Sequence, residues 1–210
     1  MLWIIIGVIA SYLIGSIPTA YIFGRVLKGI DIRKFGSGNV GATNALRVLG
    51  KKAGITVLLL DVFKGVIPVI FLGNLFAPKA TLVSSEALRI LFGIACIFGH
   101  NWTIFLNFKG GKGVATTIGV VIGLSIAITG LQLILAMLAT WLIVFLILRI
   151  VSIASVVAAV ALPIYMFVFN QSRLLIAASI ALCVLIILRH KPNLIRFSQG
   201  KEPKLKFRKK

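Results

Sequence analysis

Seven apolar stretches, each near the length a helix needs to cross a bilayer, follow one another at residues 2–24, 54–76, 86–105, 112–129, 130–148, 151–169 and 172–190. Crossing about 30 Å of hydrocarbon takes roughly 20 apolar residues as helix, and the backbone must satisfy its own N–H and C=O groups on the way. The expected fold is therefore an all-α membrane protein, a polytopic bundle of about seven transmembrane helices. Thr129-Gly130, Arg149 and Asn170-Gln171-Ser172-Arg173 are the only breaks among the last four stretches, so a merged or re-entrant segment would lower the count to five or six. A soluble domain is excluded, because 60% hydrophobic against 13% charged residues cannot cover a surface with polar groups. With no linker, low-complexity tract or internal repeat, residues 1–210 read as a single domain ending in a short basic tail, 191–210.

The chain carries 23 Lys+Arg against 4 Asp+Glu, a net charge of +19. Position decides what that charge serves. If the N-terminus is outside and seven helices alternate, the inner face receives Arg25, Lys28, Arg33, Lys34, Arg47, Lys51, Lys52, Lys109, Lys112, Arg149 and everything from Arg189 onward, while the outer face keeps only Lys79, Arg89 and Arg173. That asymmetry is what the positive-inside rule demands, so the orientation is N-outside with a cytoplasmic C-terminus. The cations lie beside apolar spans, including the tail Lys204-Leu205-Lys206-Phe207-Arg208-Lys209-Lys210, so the partners they fit are anionic lipid headgroups and not nucleic acid. Met1-Leu2-Trp3-Ile4 lacks the basic start of a cleaved signal and reads as the beginning of the first span. Cys96 and Cys183 sit in apolar runs without metal spacing and read as small buried hydrophobes.

Three polar motifs interrupt this apolar chain, and the orientation puts all of them on the cytoplasmic side, where one shared site is expected. In Gly36-Ser37-Gly38-Asn39-Val40-Gly41-Ala42-Thr43-Asn44 the glycines admit positive φ and bring N–H groups close to a ligand. Ser37, Asn39, Thr43, Asn44 and the following Arg47 add donors with no competing negative charge. The same letters fit a dinucleotide fingerprint, but no strand precedes them. The second motif runs from Gly99-His100-Asn101 to Lys109-Gly110-Gly111-Lys112-Gly113-Val114-Ala115-Thr116-Thr117. Glycine and lysine interleaved before a span place N–H groups of Gly110, Gly111 and Gly113, a helix N-terminus and the Lys112 ammonium on one anion. The loop is not a Walker A loop, because Leu106 and Gly113 stand where that pattern needs Gly and Ser or Thr. As an alternative, Lys109 and Lys112 are interface anchors. The third motif, Arg189-His190-Lys191-Pro192-Asn193 through Gly200-Lys201-Glu202-Pro203, follows the last span and offers His190 and Asn193 as a donor or proton acceptor.

Asp61 and Lys64 share one face of the second span at i and i+3, either as a functional pair or as a structural ion pair fixing helix packing. Ser152, beside Arg149, adds a donor at the next cytoplasmic turn. No Gly-x-Ser-x-Gly elbow, His-Glu-x-x-His motif, carboxylate pair or Cys/His cluster exists, so serine hydrolase, zinc protease and glycosidase chemistries lack their groups and no metal site is expected. Cations and N–H donors suit two phosphorylated substrates brought together by positioning and charge stabilisation. An anion transporter is the alternative, but its path needs polar residues near the midplane, which only Asp61 and Lys64 approach. A non-enzymatic scaffold leaves both glycine loops unexplained.

Together these motifs resemble those of the acyl-phosphate-dependent glycerol-3-phosphate acyltransferase family (PlsY) over nearly the whole chain. Ser37 to Asn44 with Arg47 is similar to the first family motif, Gly99 to Thr116 to the second, and Arg189-His190 with Asn193 and Gly200-x-Glu202-Pro203 to the third; Asp61-x-x-Lys64-Gly65 is similar too. The resemblance implies a seven-helix fold, N-terminus outside, that moves a fatty acyl group from acyl phosphate to the 1-hydroxyl of sn-glycerol 3-phosphate, giving lysophosphatidic acid and phosphate without a cofactor. It implies that the first loop, with Ser37, Gly38, Asn39, Gly41, Thr43, Asn44 and Arg47, cradles the acyl phosphate. Lys112 with Gly110, Gly111 and Gly113 then holds the glycerol phosphate, and His190, Asn193 and Ser152 complete the site. Either His190 or a substrate phosphate accepts the hydroxyl proton, and Glu202 is a structural partner of a basic neighbour. A bacterial inner membrane, a site facing the cytoplasm and contact with the soluble acyl-phosphate synthase are expected with it.

Overall fold

The computed structural model describes residues 1–205; the end of the basic tail, 206–210, lies outside the described residues. Among the described residues the regular structure is entirely helical. Five helices among the described residues are long and apolar enough to cross a membrane: Leu2–Lys28, Lys51–Lys79, Ser85–Leu106, Leu131–Leu148 and Val151–Val168. Arg173–Arg189 and Lys191–Ser198 meet at a bend of 59° and make a sixth if taken as one span. Val114–Thr129 coincides with the predicted stretch 112–129 but is shorter. Gly113 stands at φ 81° and starts the helix after Lys112, leaving about 24 Å of helix at 1.5 Å per residue.

The chain groups into two compact units, Met1–Ile128 and Thr129–Lys210. In the first, α1 (Leu2–Ser16) is separated from α2 (Thr19–Lys28) by Ile17 and Pro18, a break that the continuous apolar run 2–24 did not reveal. Proline has no N–H and cannot continue the ladder, so the Ile17 N–H turns to the Ile14 carbonyl at 3.3 Å and the Thr19 N–H to that of Ile17 at 3.0 Å. Lys64 adds a second donor there, giving its Nζ to the Ile17 carbonyl at 3.0 Å. α3 (Ala42–Leu49) leads into α4 (Lys51–Ile67), which widens into a π-helical turn at Pro68–Leu72 before α5 (Gly73–Phe76). There Arg89 of α6 (Ser85–Asn101) donates to the Val69 carbonyl at 2.6 Å and to Asn74 at 2.5 Å. α7 is Val114–Leu124.

Helix pairs in this unit close on small residues. A side chain at Gly15 would fall on the Cys96 carbonyl, one at Gly99 on that of Tyr12, and one at Gly119 on that of Val62. Without a hydrophobic drive between helices in lipid, such backbone proximity supplies the dispersion that holds them. Contact registers fix direction. Gly7 meets Phe92 and Gly15 meets Cys96, so α1 and α6 run parallel; Gly65 meets Thr116 and Gly123 meets Val69, so α4 and α7 do too. Gly93 meets Val120 while Gly113 meets Ile97 and Asn101, which makes α6 and α7 antiparallel. The ends of α1 and α6 and the starts of α4 and α7 thus share one end of the unit. At the other end Trp3 stacks on Phe76 at 5.9 Å under the Lys79 ammonium, and Phe76 meets Phe92 edge-on at 6.1 Å.

The second unit is a helical hairpin with two further helices. α8 (Leu131–Leu148) ends on Arg149 at φ 57°, and α9 (Val151–Val168) returns along it, tied by Trp141 to Ser155 and Thr140 to Tyr165. Ser172 caps α10 (Arg173–Arg189), which hands over at His190 to α11 (Lys191–Ser198). Gly130, Arg149 and Ser172 interrupt the helices at the breaks predicted from the sequence.

Candidate active site

The first glycine loop is pinned at both ends by apolar plugs. Ile32 and Val40 enter one buried cluster with Ala20, Ala45 and Val57, and Leu106 of the second loop enters the same cluster. Both glycine loops are therefore fixed to one core at one end of the first unit. Asp31 caps the turn Ile32–Lys34 by accepting the Arg33 N–H at 3.0 Å, and the Arg33 guanidinium returns to its carboxylate at 2.7 Å while lying 5.2 Å from the Tyr21 ring. That hydrogen bond holds the Asp31 carboxyl down at about 2, against the cost of burial. Gly36 and Gly38 take φ of 60° and 72°, as expected; Gly41 does not, because it is extended and begins α3 as its cap.

Asn44 holds the loop closed from inside. It is 1% exposed, accepts the Ser37 N–H at 2.9 Å, and donates to the Ile32 and Phe35 carbonyls at 3.3 and 3.1 Å. A side chain at Gly36 would strike its Oδ1. The sequence offered Asn44 as a ligand donor; the fold commits its amide to the loop backbone. Ser37 and Arg47 are exposed, and Gly38, Asn39 and Thr43 are partly buried. Ser37, Asn39, Thr43 and Arg47 are the side chains this loop presents for an anion.

In the second motif Thr103 caps the turn Ile104–Leu106 and donates to the Ser16 carbonyl at 2.5 Å, tying the loop to α1. Asn107 and Phe108 both have positive φ, after which the chain folds back on α6. Gly110 N–H donates to the Asn101 carbonyl at 3.1 Å and Gly111 N–H to the His100 carbonyl at 3.0 Å. Those two N–H groups, expected on an anion, are committed to α6. Lys112 is half-buried, Gly113 begins α7, and the first turn of α7 supplies the N–H donors that remain at this loop.

Under this loop lies a buried polar group that the sequence named only in part. Asp61 Oδ1 accepts the Thr19 hydroxyl at 2.5 Å and the Lys64 ammonium at 2.9 Å, and faces His100 Nδ1 at 3.9 Å. The Asp61–Lys64 spacing was legible. Thr19 and His100 were not, since nothing local in the sequence connects either to Asp61.

The third motif forms its own cluster in the second unit. Glu202 is buried and accepts Asn193 Nδ2 at 2.6 Å and Ser152 Oγ at 2.7 Å on one oxygen, and Arg196 Nε at 2.8 Å on the other. Burial pushes its carboxyl up, but these hydrogen bonds outweigh that and leave it below the ordinary value. Leu205 N–H closes the strap onto the Arg149 carbonyl at 2.8 Å. Ser152, expected as a substrate donor, donates its hydroxyl hydrogen bond to Glu202. Asn193 is oriented by the same carboxylate, which accepts from its amide NH2. His190 is the joint between α10 and α11, its Nδ1 lying 2.8 Å from the Ile186 carbonyl. A carbonyl can only accept, so Nδ1 carries a proton and the neutral ring keeps its lone pair on Nε2, the form a base requires. Pro192 lies in the first turn of α11, where a missing N–H costs nothing.

No group of three or more His, Cys, Asp or Glu able to hold a metal occurs among the described residues. A family model described as glycerol-3-phosphate acyltransferase matches residues 5–200. A glycerol-3-phosphate acyltransferase of Prochlorococcus marinus (strain NATL2A) is 44% identical over 199 residues, covering 93% of this chain and 94% of its own. One from Fusobacterium nucleatum subsp. nucleatum is 41% identical, covering 95% and 97%. The crystal structure of PlsY (YgiH), an integral membrane glycerol 3-phosphate acyltransferase, in its glycerol 3-phosphate form, matches with a TM-score of 0.84 and 39% identity over 97% of this chain and 96% of that one. Its lysophosphatidic acid form matches with a TM-score of 0.82 and 38% identity over 97% and 95%.

Proposed function

This chain belongs to the glycerol-3-phosphate acyltransferase family, and on that premise we propose how its polar clusters divide the work of acyl transfer. It is a multi-pass membrane enzyme that acylates glycerol 3-phosphate to lysophosphatidic acid, with acyl phosphate as donor. In the reaction the 1-hydroxyl oxygen attacks the acyl carbonyl, the new ester C–O bond forms, and the bond to phosphate breaks with its electron pair leaving on phosphate. Phosphate is a good leaving group, so no covalent enzyme intermediate is needed and the protein's task is positioning and charge stabilisation.

The observation that carries the assignment is the shared core: Ile32 and Val40 from one glycine loop and Leu106 from the other lock two anion-seeking loops to a single apolar plug. The first loop, through Ser37, Gly38, Asn39, Thr43 and Arg47, is assigned to the acyl phosphate, with Gly41 and Asn44 shaping it. Lys112 and the start of α7 after Gly113 are assigned to the glycerol phosphate, with Gly110 and Gly111 anchoring that loop. His190 and Asn193 orient the attacking hydroxyl or the carbonyl, Ser152 and Glu202 hold Asn193, and the proton passes to His190 or to a substrate phosphate. No cofactor takes part in these steps.

We assign seven spans with the N-terminus outside and the loops cytoplasmic, in a bacterial inner membrane. Supporting this, α1, α4, α6 and α7 alternate in direction through the first unit. Lys28, Arg33, Lys34, Arg47, Lys51, Lys52, Lys109 and Lys112 belong to the loop end, against Lys79 and Arg89 at the other. That basic end is also where contact with a soluble acyl-phosphate synthase is assigned. The test is purified enzyme in detergent given acyl phosphate and glycerol 3-phosphate, with lysophosphatidic acid measured. Lys112→Ala is expected to raise the KM for glycerol 3-phosphate more than that for acyl phosphate. The reverse order would exchange the two phosphate assignments.

A further inference from the structure

Three side chains from three helices meet at one buried oxygen of Asp61 beneath the second glycine loop. Asp61 and Lys64 come from α4, Thr19 from the first position of α2 after the Pro18 break, and His100 from the last turn of α6. Asp61 is 1% exposed, and its carboxylate works through Oδ1 alone: Thr19 at 2.5 Å, Lys64 at 2.9 Å and His100 Nδ1 at 3.9 Å share it, while Oδ2 is buried with no hydrogen-bond partner among the described residues. Lys64 is held in turn by the Ile17 carbonyl, so the position of Oδ1 is set from both sides of the α1–α2 break.

On its far side the His100 ring meets the loop. A side chain at Gly111 would land on His100 Nε2, one at Gly110 on the His100 carbonyl oxygen, and that carbonyl accepts the Gly111 N–H at 3.0 Å. The ring is therefore a wedge between the Asp61 carboxylate and the glycine pair that precedes Lys112. Wherever the ring goes, Gly111 follows, and with it the ammonium of Lys112 and the first turn of α7.

We infer that Thr19 and Asp61 are positioning residues for glycerol 3-phosphate binding, acting through the His100 ring to seat the Gly110–Gly113 loop. This rests on the assignment of that loop to the glycerol phosphate. Neither residue touches substrate. Thr19 fixes which direction Oδ1 faces by occupying one of its lone pairs; without the hydroxyl, Lys64 and His100 redistribute around the carboxylate and the wedge shifts. A displacement of that order at a binding loop affects the substrate the loop holds and leaves the other phosphate site, built on Asn44 and α3, unchanged.

The experiment compares Thr19→Val, Thr19→Ser and Lys112→Ala with wild type in detergent. It measures both KM values, kcat, thermal unfolding, and hydrogen exchange over residues 103–113 and 36–49. Valine keeps the shape and removes the donor; serine keeps the donor. The expected result for Thr19→Val is a rise of about tenfold in the KM for glycerol 3-phosphate with kcat and the acyl phosphate KM within about twofold. Faster exchange at 103–113 with 36–49 unchanged, and wild-type values for Thr19→Ser, complete it. Asp61→Asn is expected to move the same KM in the same direction. If Lys112→Ala raises the glycerol 3-phosphate KM but Thr19→Val does not, the inference is overturned alone. A proportional loss of kcat with no KM split, tracking a lower unfolding temperature, overturns it in favour of plain packing. If Lys112→Ala leaves that KM unmoved, the phosphate assignment of the loop falls and this inference with it.

Discussion

Asn44→Ala separates a residue that builds a loop from one that holds a substrate. The side chain makes three hydrogen bonds to the backbone of residues 32 to 37 and is 1% exposed. Alanine removes all three, but the groups left behind differ. Ile32 is fully buried, but its carbonyl keeps the Phe35 N–H at 3.2 Å, so losing the Asn44 donor costs about 0.5–1 kcal/mol there. Phe35 and Ser37 are exposed and their backbone groups rehydrate, leaving about 0.5–1 kcal/mol each. The sum is about 1.5–3 kcal/mol, concentrated in the segment that carries Ser37. Urea unfolding in detergent, followed with exchange over 36–41, measures it, and kinetics with both substrates accompany it. The expected outcome is lower stability, fast exchange in the loop, and a fall in kcat/KM for acyl phosphate. Asn44→Asp keeps the acceptor for Ser37 but loses both donors and adds a negative charge beside the proposed phosphate, so it is expected to be worse than alanine in activity and no worse in stability. Unchanged stability in Asn44→Ala beside a raised acyl phosphate KM would refute the reasoning, because that is the behaviour of a ligand.

Arg89→Ala removes the hydrogen bonds to the Val69 carbonyl of the π-helical turn and to Asn74 and is expected to cost about 1–3 kcal/mol, with Arg89→Lys intermediate because an ammonium reaches one of the two acceptors. Its kcat should stay near wild type, since the turn lies at the end of the unit away from the loops; unfolding curves and turnover on the same preparations decide it. Gly119→Leu puts a side chain on the Val62 backbone and is expected to part α4 from α7, lowering stability by at least about 1–3 kcal/mol; wild-type stability would show that the helices meet elsewhere. For pH, Glu202 has a folded value held below its ordinary 4.5, so its stabilising effect is complete above that value and fades as pH falls through the folded value. Wild type should lose stability below about pH 4.5 more steeply than Glu202→Gln, and parallel curves would remove Glu202 as the source.

The helices were legible because composition alone forces them: an apolar run of sufficient length has one backbone solution in lipid, and Gly130, Arg149 and Ser172 punctuate the runs visibly. Pro18 was not legible as a break, because the run 2–24 stays apolar across it and Lys64, which donates to the Ile17 carbonyl, is distant in sequence. The same limit applies to the site. Ser37, Arg47 and Lys112 can be picked out by residue type, yet Asn44, Ser152, Gly110 and Gly111 look identical in a sequence to groups that face a ligand. What decides is whether the chain returns to meet them, and in each case it does: Asn44 by the fold of the loop, Ser152 by the Glu202 strap, and the glycine N–H groups by the end of α6. His100 fails differently, because a lone histidine at the end of an apolar helix carries no local sign of the carboxylate it faces.

These commitments bear on how the catalytic groups are held. At two irregular turns of the first unit a long cation donates to the backbone, Lys64 to the Ile17 carbonyl and Arg89 to that of Val69, where an apolar setting favours added donors. The same economy locks the loops. Asn44 closes one, the His100 wedge and two α6 carbonyls seat the other, and Glu202 fixes Asn193. A site whose backbone is already paid for in hydrogen bonds need not reorganise when two phosphorylated substrates arrive, and preorganised donors of that kind are worth most in acyl transfer without a covalent intermediate. It follows that mutations in the holding residues should lower kcat/KM without changing the reaction's pH dependence, whereas changes at His190 should alter the pH profile itself. Identical pH profiles for His190→Gln and wild type, at reduced rate, would move the proton to a substrate phosphate and leave His190 as a further holding residue.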